Sequence, residues 1–271
     1  MSTIVRLFGA FAVLVLTCLP ASGQALDALS RTDPVQTRAS EPSKVRALDW
    51  ILPAVFIGST LAIHTPDECR WCDRDSLGRD SLNQFDRSAR SSLRWNKTGT
   101  PDTMSWITEF GPVALLFSLN KEHLQETVLP VFQAFGTTYL VTSVVKVSAA
   151  RERPAVHFGG TTSSDANASF FSGHSSGAFA LVFALARVNS DRHDSRTKWI
   201  WIAGLPLASA TGYMRMAADK HYMTDVLTGA AVGAAIGWWI PAVWSPTGDR
   251  GVSVAPSVAP GGANLSVRWR W

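Results

Sequence analysis

The sequence has few charged residues and no dense run of either sign. Aspartate, glutamate, lysine and arginine make up 17% of its 271 residues, below the share of about a quarter that is usual in soluble proteins. The formal net charge is +4. This mild excess suits an anionic substrate or surface, but no lysine and arginine cluster indicates a nucleic-acid partner. The 46% of hydrophobic residues suffice for one domain with a sizeable core.

Long apolar runs are also scarce. A membrane-spanning helix needs about 20 apolar residues, and only Val226–Trp244, which contains Pro241, approaches that length. The mean hydropathy of +0.08 is low for a chain buried mostly in lipid. These features argue against a regular multi-span membrane protein.

The N-terminal segment, residues 1–25, has the composition of a signal peptide. Arg6 supplies the positive charge, Leu7–Leu16 is apolar, and Ala21-Ser22-Gly23 offers small residues for cleavage. An uncleaved membrane anchor is the alternative interpretation. Residues 26–46 are polar and contain proline and serine, so they are predicted to form a linker.

Cysteine is rare, since only Cys69 and Cys72 remain once the predicted signal peptide, with Cys18, is removed. An even number of cysteines in an exported chain favours a disulfide. The Cys-x-x-Cys spacing leaves a redox-active pair open, although the flanking loop is polar. A zinc site would need two more ligands, and no suitable His or Cys pair lies nearby.

Six apolar, helix-like stretches separated by polar loops predict an all-α class, a helical bundle over residues 47–245. The stretches are Leu48–Ile63, Trp106–Leu119, Leu129–Val145, Phe170–Val188, Trp199–Met214 and Val226–Trp244. The polar connection 65–104 can hold a short helix at Ser81–Leu93. In the tail, residues 246–271, alternating apolar residues on both sides of a Pro-Gly-Gly turn predict a small β-hairpin.

The first of three chemically informative blocks is Lys146-x6-Arg153-Pro154, at the end of the Leu129–Val145 stretch. Two cations seven residues apart would lie two turns apart on one helix face, and Pro154 would stop the helix. A planar guanidinium and an ammonium suit a doubly charged phosphate. Alone, the block is better explained as a solvated basic helix end.

The second block is Ser172-Gly173-His174, which opens an apolar helix. Free backbone N–H groups at a helix start bind anions, and glycine lets the backbone approach closely. His174 could act there as a general acid. The alternative is a helix-capping serine followed by a surface histidine.

The third block is Arg215-x5-His221-x3-Asp225. The spacing of four predicts that His221 and Asp225 are neighbours on one helix face. A carboxylate that holds one imidazole nitrogen leaves the other free to attack an electrophile. Arg215 could bind the same anion. An ordinary helix salt bridge is the alternative for this block alone.

Together the blocks resemble the signature of the type 2 phosphatidic acid phosphatase and vanadium haloperoxidase superfamily. That signature reads Lys-x6-Arg-Pro, Pro-Ser-Gly-His and Ser-Arg-x5-His-x3-Asp, and the resemblance covers about residues 110–245. Two flanking positions depart from it: Phe171 stands in place of proline and Met214 in place of serine.

The resemblance implies a helical-bundle fold and a role for each matched residue. His221 would be the nucleophile that forms a phosphohistidine, Asp225 would orient it, and His174 would protonate the leaving group. The phosphoryl oxygens would be held by Lys146, Arg153, Ser172, Gly173 and Arg215. We therefore expect a phosphatase for phosphate monoesters that needs no metal or other cofactor, with vanadate as an inhibitor.

Two other functions remain open at this stage. A vanadium-dependent haloperoxidase would use vanadate as cofactor in the same pocket, and a non-catalytic envelope protein could keep the fold. The expected ligand is a phosphorylated small molecule or a lipid, with a membrane surface as a further contact.

Topology bears on location. If the signal peptide is cleaved and every stretch spans the bilayer, the loops with Lys146–Arg153 and Arg215–Asp225 would face the cytoplasm, together with Cys69 and Cys72. We therefore expect an exported bundle in the periplasm or cell envelope that does not cross the membrane six times. An integral membrane protein is the alternative.

Overall fold

The structure is a computed structural model that describes residues 67–74, 77–95, 99–119, 124–159, 165–243, 251–259 and 262–270. The predicted signal peptide (1–25), the linker (26–46) and the first apolar stretch, Leu48–Ile63, lie outside these ranges.

Helices dominate the described residues, which confirms the predicted all-α class. In chain order they are α1 (Gln84–Leu93), α2 (Gly99–Leu119), α3 (Leu124–Ala149), α4 (Pro154–Gly159), α5 (Gly173–Asp191), α6 (Thr197–Trp199), α7 (Leu205–Ala217) and α8 (Met223–Val243). One π-helical segment, Ile200–Gly204, joins α6 to α7. At the C-terminus, β1 (Gly251–Ala259) and β2 (Gly262–Arg270) pair antiparallel.

Helix α5 forms the centre of the bundle. Fifteen of its residues are buried, and α2, α3, α7 and α8 pack around it. The helix begins at Gly173 rather than at the predicted Phe170, because the Ser172 hydroxyl accepts a hydrogen bond from the Ser175 backbone N–H and caps the first turn. The predicted anion-binding helix start therefore lies at the end of the most buried helix.

Glycines on α8 allow it to lie directly against the backbone of α5. A Cβ atom at Gly233 would lie 2.0 Å from the Ser176 carbonyl oxygen, and one at Gly229 would lie 2.6 Å from that of Ser172. Any side chain at these positions would push the two helices apart. The contact at Gly229 fixes the first turns of α8 beside the start of α5. The second predicted block lies at the start of α5, and the third block ends in the first turn of α8.

Two helical segments are long and apolar enough to cross a membrane. They are Thr127–Ala149, with 50% of its most apolar window buried inside the bundle, and Met223–Ala242, with 39% buried. The core helices of soluble proteins can be equally long and apolar. Length and composition therefore fit both a membrane-spanning helix and a buried core helix.

Candidate active site

The start of α5 provides the first part of the site. Ser172 is fully buried, and its backbone N–H donates a hydrogen bond to the Asp225 carbonyl oxygen at 3.1 Å. Gly173 faces α3, and a Cβ atom added at Gly173 would lie 3.9 Å from the Lys146 Nζ. The structure thus brings the second predicted block together with a residue of the first and a residue of the third.

The sequence predicted that Lys146 and Arg153 lie on one continuous helix, and this prediction is wrong. Helix α3 ends at Ala149, and Ala150 has a positive φ of 42° that turns the chain. Pro154 does not stop a helix but begins α4, a position where its missing N–H costs nothing. Lys146 and Arg153 therefore reach the site from two elements on either side of a sharp turn.

Arg153 is held mainly by backbone groups and one carboxylate. Its Nε donates to the Asp165 carbonyl oxygen at 2.9 Å, its Nη1 donates to the Lys220 carbonyl oxygen at 3.3 Å, and its Nη2 lies 2.7 Å from the Asp165 carboxylate. The side chain is 5% exposed. These bonds fix the guanidinium beside the loop that carries His221.

Arg215 lies in the last turn of α7 and is also buried. Its Nη1 contacts the carboxylate of Asp102 and the hydroxyl of Ser105, both on α2. Its Nε has no hydrogen-bond partner among the described residues. A buried, unpaired guanidinium N–H is the kind of donor that an anion would satisfy.

His221 precedes α8 instead of sharing a helix face with Asp225. The His221 Nδ1 lies 2.7 Å from the Ser169 carbonyl oxygen but 3.8 Å from the nearer Asp225 carboxylate oxygen. The carbonyl can only accept, so Nδ1 carries the proton and Nε2 keeps its lone pair. The direct holder of the imidazole is Ser169, which the sequence analysis missed because a backbone carbonyl leaves no signature.

Asp225 organises the turn around His221. Its carboxylate accepts hydrogen bonds from the Tyr222 backbone N–H at 2.9 Å and from the Ser169 hydroxyl at 2.5 Å. Asp225 thus positions both the His221 turn and the segment whose carbonyl holds the imidazole. Its orienting effect is exerted through these neighbours.

Arg151 is a second residue that the sequence analysis did not single out. Its guanidinium is fully buried and donates to the carboxylates of Asp225 at 2.6 Å, Asp86 at 3.0 Å and Asp73 at 3.0 Å. The ring of Trp71 lies 4.2 Å from its central carbon. The position of Arg151 between Lys146 and Arg153 in the sequence was the one signal that could have identified it. Arg151 connects Asp225 to α1 and to the loop closed by the Cys69–Cys72 disulfide.

Helix α2 contributes polar residues to the site that the sequence analysis did not single out. The predicted helix began at Trp106, whereas α2 begins at Gly99 and presents Asp102, Ser105 and Glu109 on one face. The spacing of three and four residues places all three on the same side of a helix. This polar stripe was visible in the sequence but crossed the predicted helix boundary.

The electrostatics of the pocket are dominated by its cations. Burial, together with the positive charges of Arg153, Lys146 and Arg215, holds the pKa of His221 well below its ordinary value of 6.5. Burial and the charge of Arg215 likewise lower the pKa of His174. Both imidazoles are therefore neutral near pH 7. The pocket has the charge to bind a phosphate and a neutral histidine to attack it.

Within the described ranges, no group of three or more His, Cys, Asp or Glu side chains forms a candidate metal site.

The part of the sequence that carries these cations and histidines matches a known family. The model of the PAP2 superfamily matches residues 127–248, a range that contains all three blocks. Over this range the chain is similar to members of the PAP2 superfamily. The family resemblance inferred from the motifs is thereby confirmed.

Two known proteins illustrate this similarity. A lipid A 1-phosphatase of Porphyromonas gingivalis is 41% identical over 68 residues, which make up 24% of this chain. The match spans 15% of the length of that relative. The crystal structure of a transmembrane PAP2 type phosphatidylglycerolphosphate phosphatase from Bacillus subtilis aligns at 20% identity with a TM-score of 0.45, covering 71% of this chain and 93% of that one.

Proposed function

We propose that this protein is a phosphatase that hydrolyses phosphate monoesters through a phosphohistidine on His221 and requires no metal. The observation that carries the proposal is the state of His221. Its Nδ1 is bonded to the Ser169 carbonyl oxygen, and its Nε2 retains the lone pair beside three buried cations. The family and the lipid A 1-phosphatase relative support a phosphatase.

In the first step, the Nε2 of His221 attacks phosphorus and the bond to the ester oxygen breaks. The electron pair of that bond goes to the leaving oxygen, which takes a proton from His174. Lys146, Arg153 and Arg215 neutralise the phosphoryl oxygens, and the start of α5 adds backbone N–H donors. The products are a phosphohistidine and a free alcohol.

In the second step, His174 takes a proton from water as the water oxygen attacks the phosphohistidine. The bond between phosphorus and Nε2 breaks, and its electron pair returns to His221. Inorganic phosphate leaves. His174 has then regained the proton it gave up, so the cycle is closed without a net change in the protein.

We further propose an exported protein whose pocket is on the outer side of the cell membrane and whose substrate is a lipid phosphate or a small soluble ester. The two apolar helical segments and the lipid A 1-phosphatase relative support contact with a membrane.

The test is phosphate release from p-nitrophenyl phosphate and from a panel of lipid phosphates, with and without EDTA. We expect activity that survives EDTA, is inhibited by vanadate and disappears in His221→Asn. The matched control is His193→Asn, because His193 is exposed on a loop. Loss of activity in EDTA that Mg²⁺ or Zn²⁺ restores would overturn the metal-free mechanism. Bromination with vanadate and peroxide, without phosphate release, would indicate the haloperoxidase instead.

A further inference from the structure

Glu109 is a buried carboxyl group that the mechanism above does not use. It lies on α2, its side chain is fully buried, and its Oε2 has no hydrogen-bond partner among the described residues. The Nε2 of His174 lies 3.7 Å from Oε2, and that nitrogen is itself buried without a hydrogen-bond partner in the described part of the chain. Two unsatisfied buried polar atoms that face each other require an explanation.

The rest of the Glu109 carboxyl is held firmly. Its Oε1 accepts a hydrogen bond of 2.6 Å from the Tyr139 hydroxyl on α3. Gly177 on α5 leaves the necessary space, since a Cβ atom there would lie 2.6 Å from Oε1. Three helices therefore position this carboxyl group, and a shift of about half an ångström would bring Oε2 within hydrogen-bond distance of His174.

The arrangement addresses a difficulty in the proposed mechanism. His174 must deliver a proton to the leaving oxygen, yet burial and several positive charges keep its imidazole neutral. The charged and titratable groups that face it are Arg215, His221, Lys146, Arg153 and Glu109. Burial raises the pKa of Glu109 to about 8, although Tyr139, Arg215 and Lys146 oppose the increase. A proton is therefore stored next to His174 at neutral pH.

We propose that Glu109 is a positioning residue that stores the proton for His174 and returns it during catalysis, with Tyr139 holding the carboxyl in place. This inference rests on the proposed phosphatase function. As the ester bond breaks, the Nδ1 proton of His174 moves to the leaving oxygen and the Oε2 proton of Glu109 moves to Nε2. When water attacks the phosphohistidine, its proton moves to Nδ1 and the Nε2 proton returns to Glu109. The number of protons on the pair is restored after each turnover.

The kinetic test compares two esters with different leaving groups. An alkyl phosphate needs the proton, whereas p-nitrophenyl phosphate releases a stabilised anion and needs little help. In Glu109→Gln we expect kcat/KM to fall about 100-fold on the alkyl ester and less than about 10-fold on the p-nitrophenyl ester. Asp191→Asn is the matched control, because it makes the same change of carboxylate to amide at the exposed end of α5.

The pH profile provides a readout that a purely structural role would not change. On the alkyl ester, wild-type activity should fall on the basic side as the shared proton is lost, near the pKa of about 8 of Glu109. In Glu109→Gln only His174 can hold the proton, so this limb should move to lower pH. Burial lowers the pKa of Lys146 to about 7, and loss of that charge affects both esters alike, so the p-nitrophenyl ester serves as the reference. Tyr139→Phe should shift the ester ratio in the same direction by a smaller factor, and it keeps the test open if Glu109→Gln fails to fold.

Equal losses on both esters, or an unmoved basic limb, would overturn the role of Glu109 and leave the phosphatase function intact. If the wild-type protein releases no phosphate from either ester, the proposed function itself fails. NMR titration of the His174 imidazole in the full chain then decides the inference separately. A titration step near pH 8 that disappears in Glu109→Gln supports the shared proton, and identical titrations in the two proteins refute it.

Discussion

At the scale of single residues, the proposed mechanism gives different roles to two histidines with different surroundings. His221 is 3% exposed and bonded through Nδ1 to a backbone carbonyl, which leaves Nε2 as a nucleophile. His174 is more open, with 15% of its side chain exposed, and its Nε2 faces Glu109. The two imidazoles therefore suit different roles, attack for His221 and proton transfer for His174.

The difference between the two histidines can be measured. His221→Ala should abolish formation of the covalent intermediate with any ester. His174→Ala should slow its formation by about 100-fold or more on alkyl phosphates and much less on p-nitrophenyl phosphate, because an activated leaving group needs little proton transfer. Rapid-quench trapping of the phosphohistidine with both esters provides the measurement. Equal losses on the two esters in His174→Ala would contradict the acid role.

The low pKa of His221 also has a kinetic consequence. Protonation of Nε2 removes the nucleophile, so activity is lost as the pH falls through this pKa. Because nearby cations lower the pKa, removing one cation should raise it. The acid limb of kcat/KM should therefore move to higher pH in Lys146→Met, and it should not move in the control Lys198→Met, where an exposed lysine is replaced. The second ionisation of the ester, near pH 6, contributes equally to both profiles, so a difference between their acid limbs reports on the enzyme.

At the scale of structural elements, the site is assembled where helices end. Lys146 lies in the last turn of α3, Gly173 in the first turn of α5 and Arg215 in the last turn of α7. Arg151 then ties the turn before α8 to α1 and to the disulfide loop through its three carboxylate partners. The position of Asp225 thus depends on elements that are distant in sequence.

Replacing Arg151 should therefore affect both stability and activity. Arg151→Met leaves three carboxylates without their shared cation, and loss of one partner from a buried ion pair costs about 3–5 kcal/mol in unfolding free energy. The control Arg87→Met removes an exposed pair with Asp80, which solvent screens, so its effect on the unfolding free energy should be far smaller. Urea unfolding of the two variants gives the comparison. Similar losses in both would show that the buried cluster contributes no special stability.

The disulfide loop leads to a separate prediction. The Trp71 backbone N–H donates to the Ala150 carbonyl oxygen at 3.4 Å, and the Trp71 carbonyl accepts from the Glu152 N–H at 3.1 Å. The loop closed by Cys69 and Cys72 is thus held against the turn between Lys146 and Arg153. We expect both cysteines to be oxidised to each other in the exported protein. Thiol labelling of the native, unreduced chain should find neither free, and labelling of both would contradict this.

At the scale of the whole molecule, the bundle has two features that bear on contact with a membrane. The described residues contain two apolar helical segments of spanning length. Several large apolar side chains are exposed on the bundle surface, among them Ile107 at 70% and Trp239 at 67%. Such groups are suited to contact with lipid or with another protein.

Cell fractionation addresses both location and attachment. We expect intact cells to hydrolyse p-nitrophenyl phosphate, because the pocket should face outward, and activity that appears only after lysis would contradict this. We also expect a carbonate wash to release the activity from membranes, since the sequence favours a bundle that does not span the bilayer repeatedly. Activity that stays in washed membranes and requires detergent would instead show an integral membrane protein.

The sequence by itself determined the helical class and the three blocks of the site. Their signals are local: apolar periodicity defines a helix, a serine before a glycine caps one, and fixed spacings identify the motif residues. Five predicted apolar stretches coincide with helical segments of the structure, and the sixth lies outside the described residues.

The tertiary structure alone decided how these parts meet. Ala150 turns the chain between Lys146 and Arg153, the Ser169 carbonyl holds His221, and Arg151 joins carboxylates from three separate segments. The facing pair of Glu109 and His174 likewise joins two helices that are far apart in sequence. Such contacts depend on the packing of one helix against another, and no local pattern encodes them, because each side chain's partner is set by the fold rather than by its neighbours in the chain.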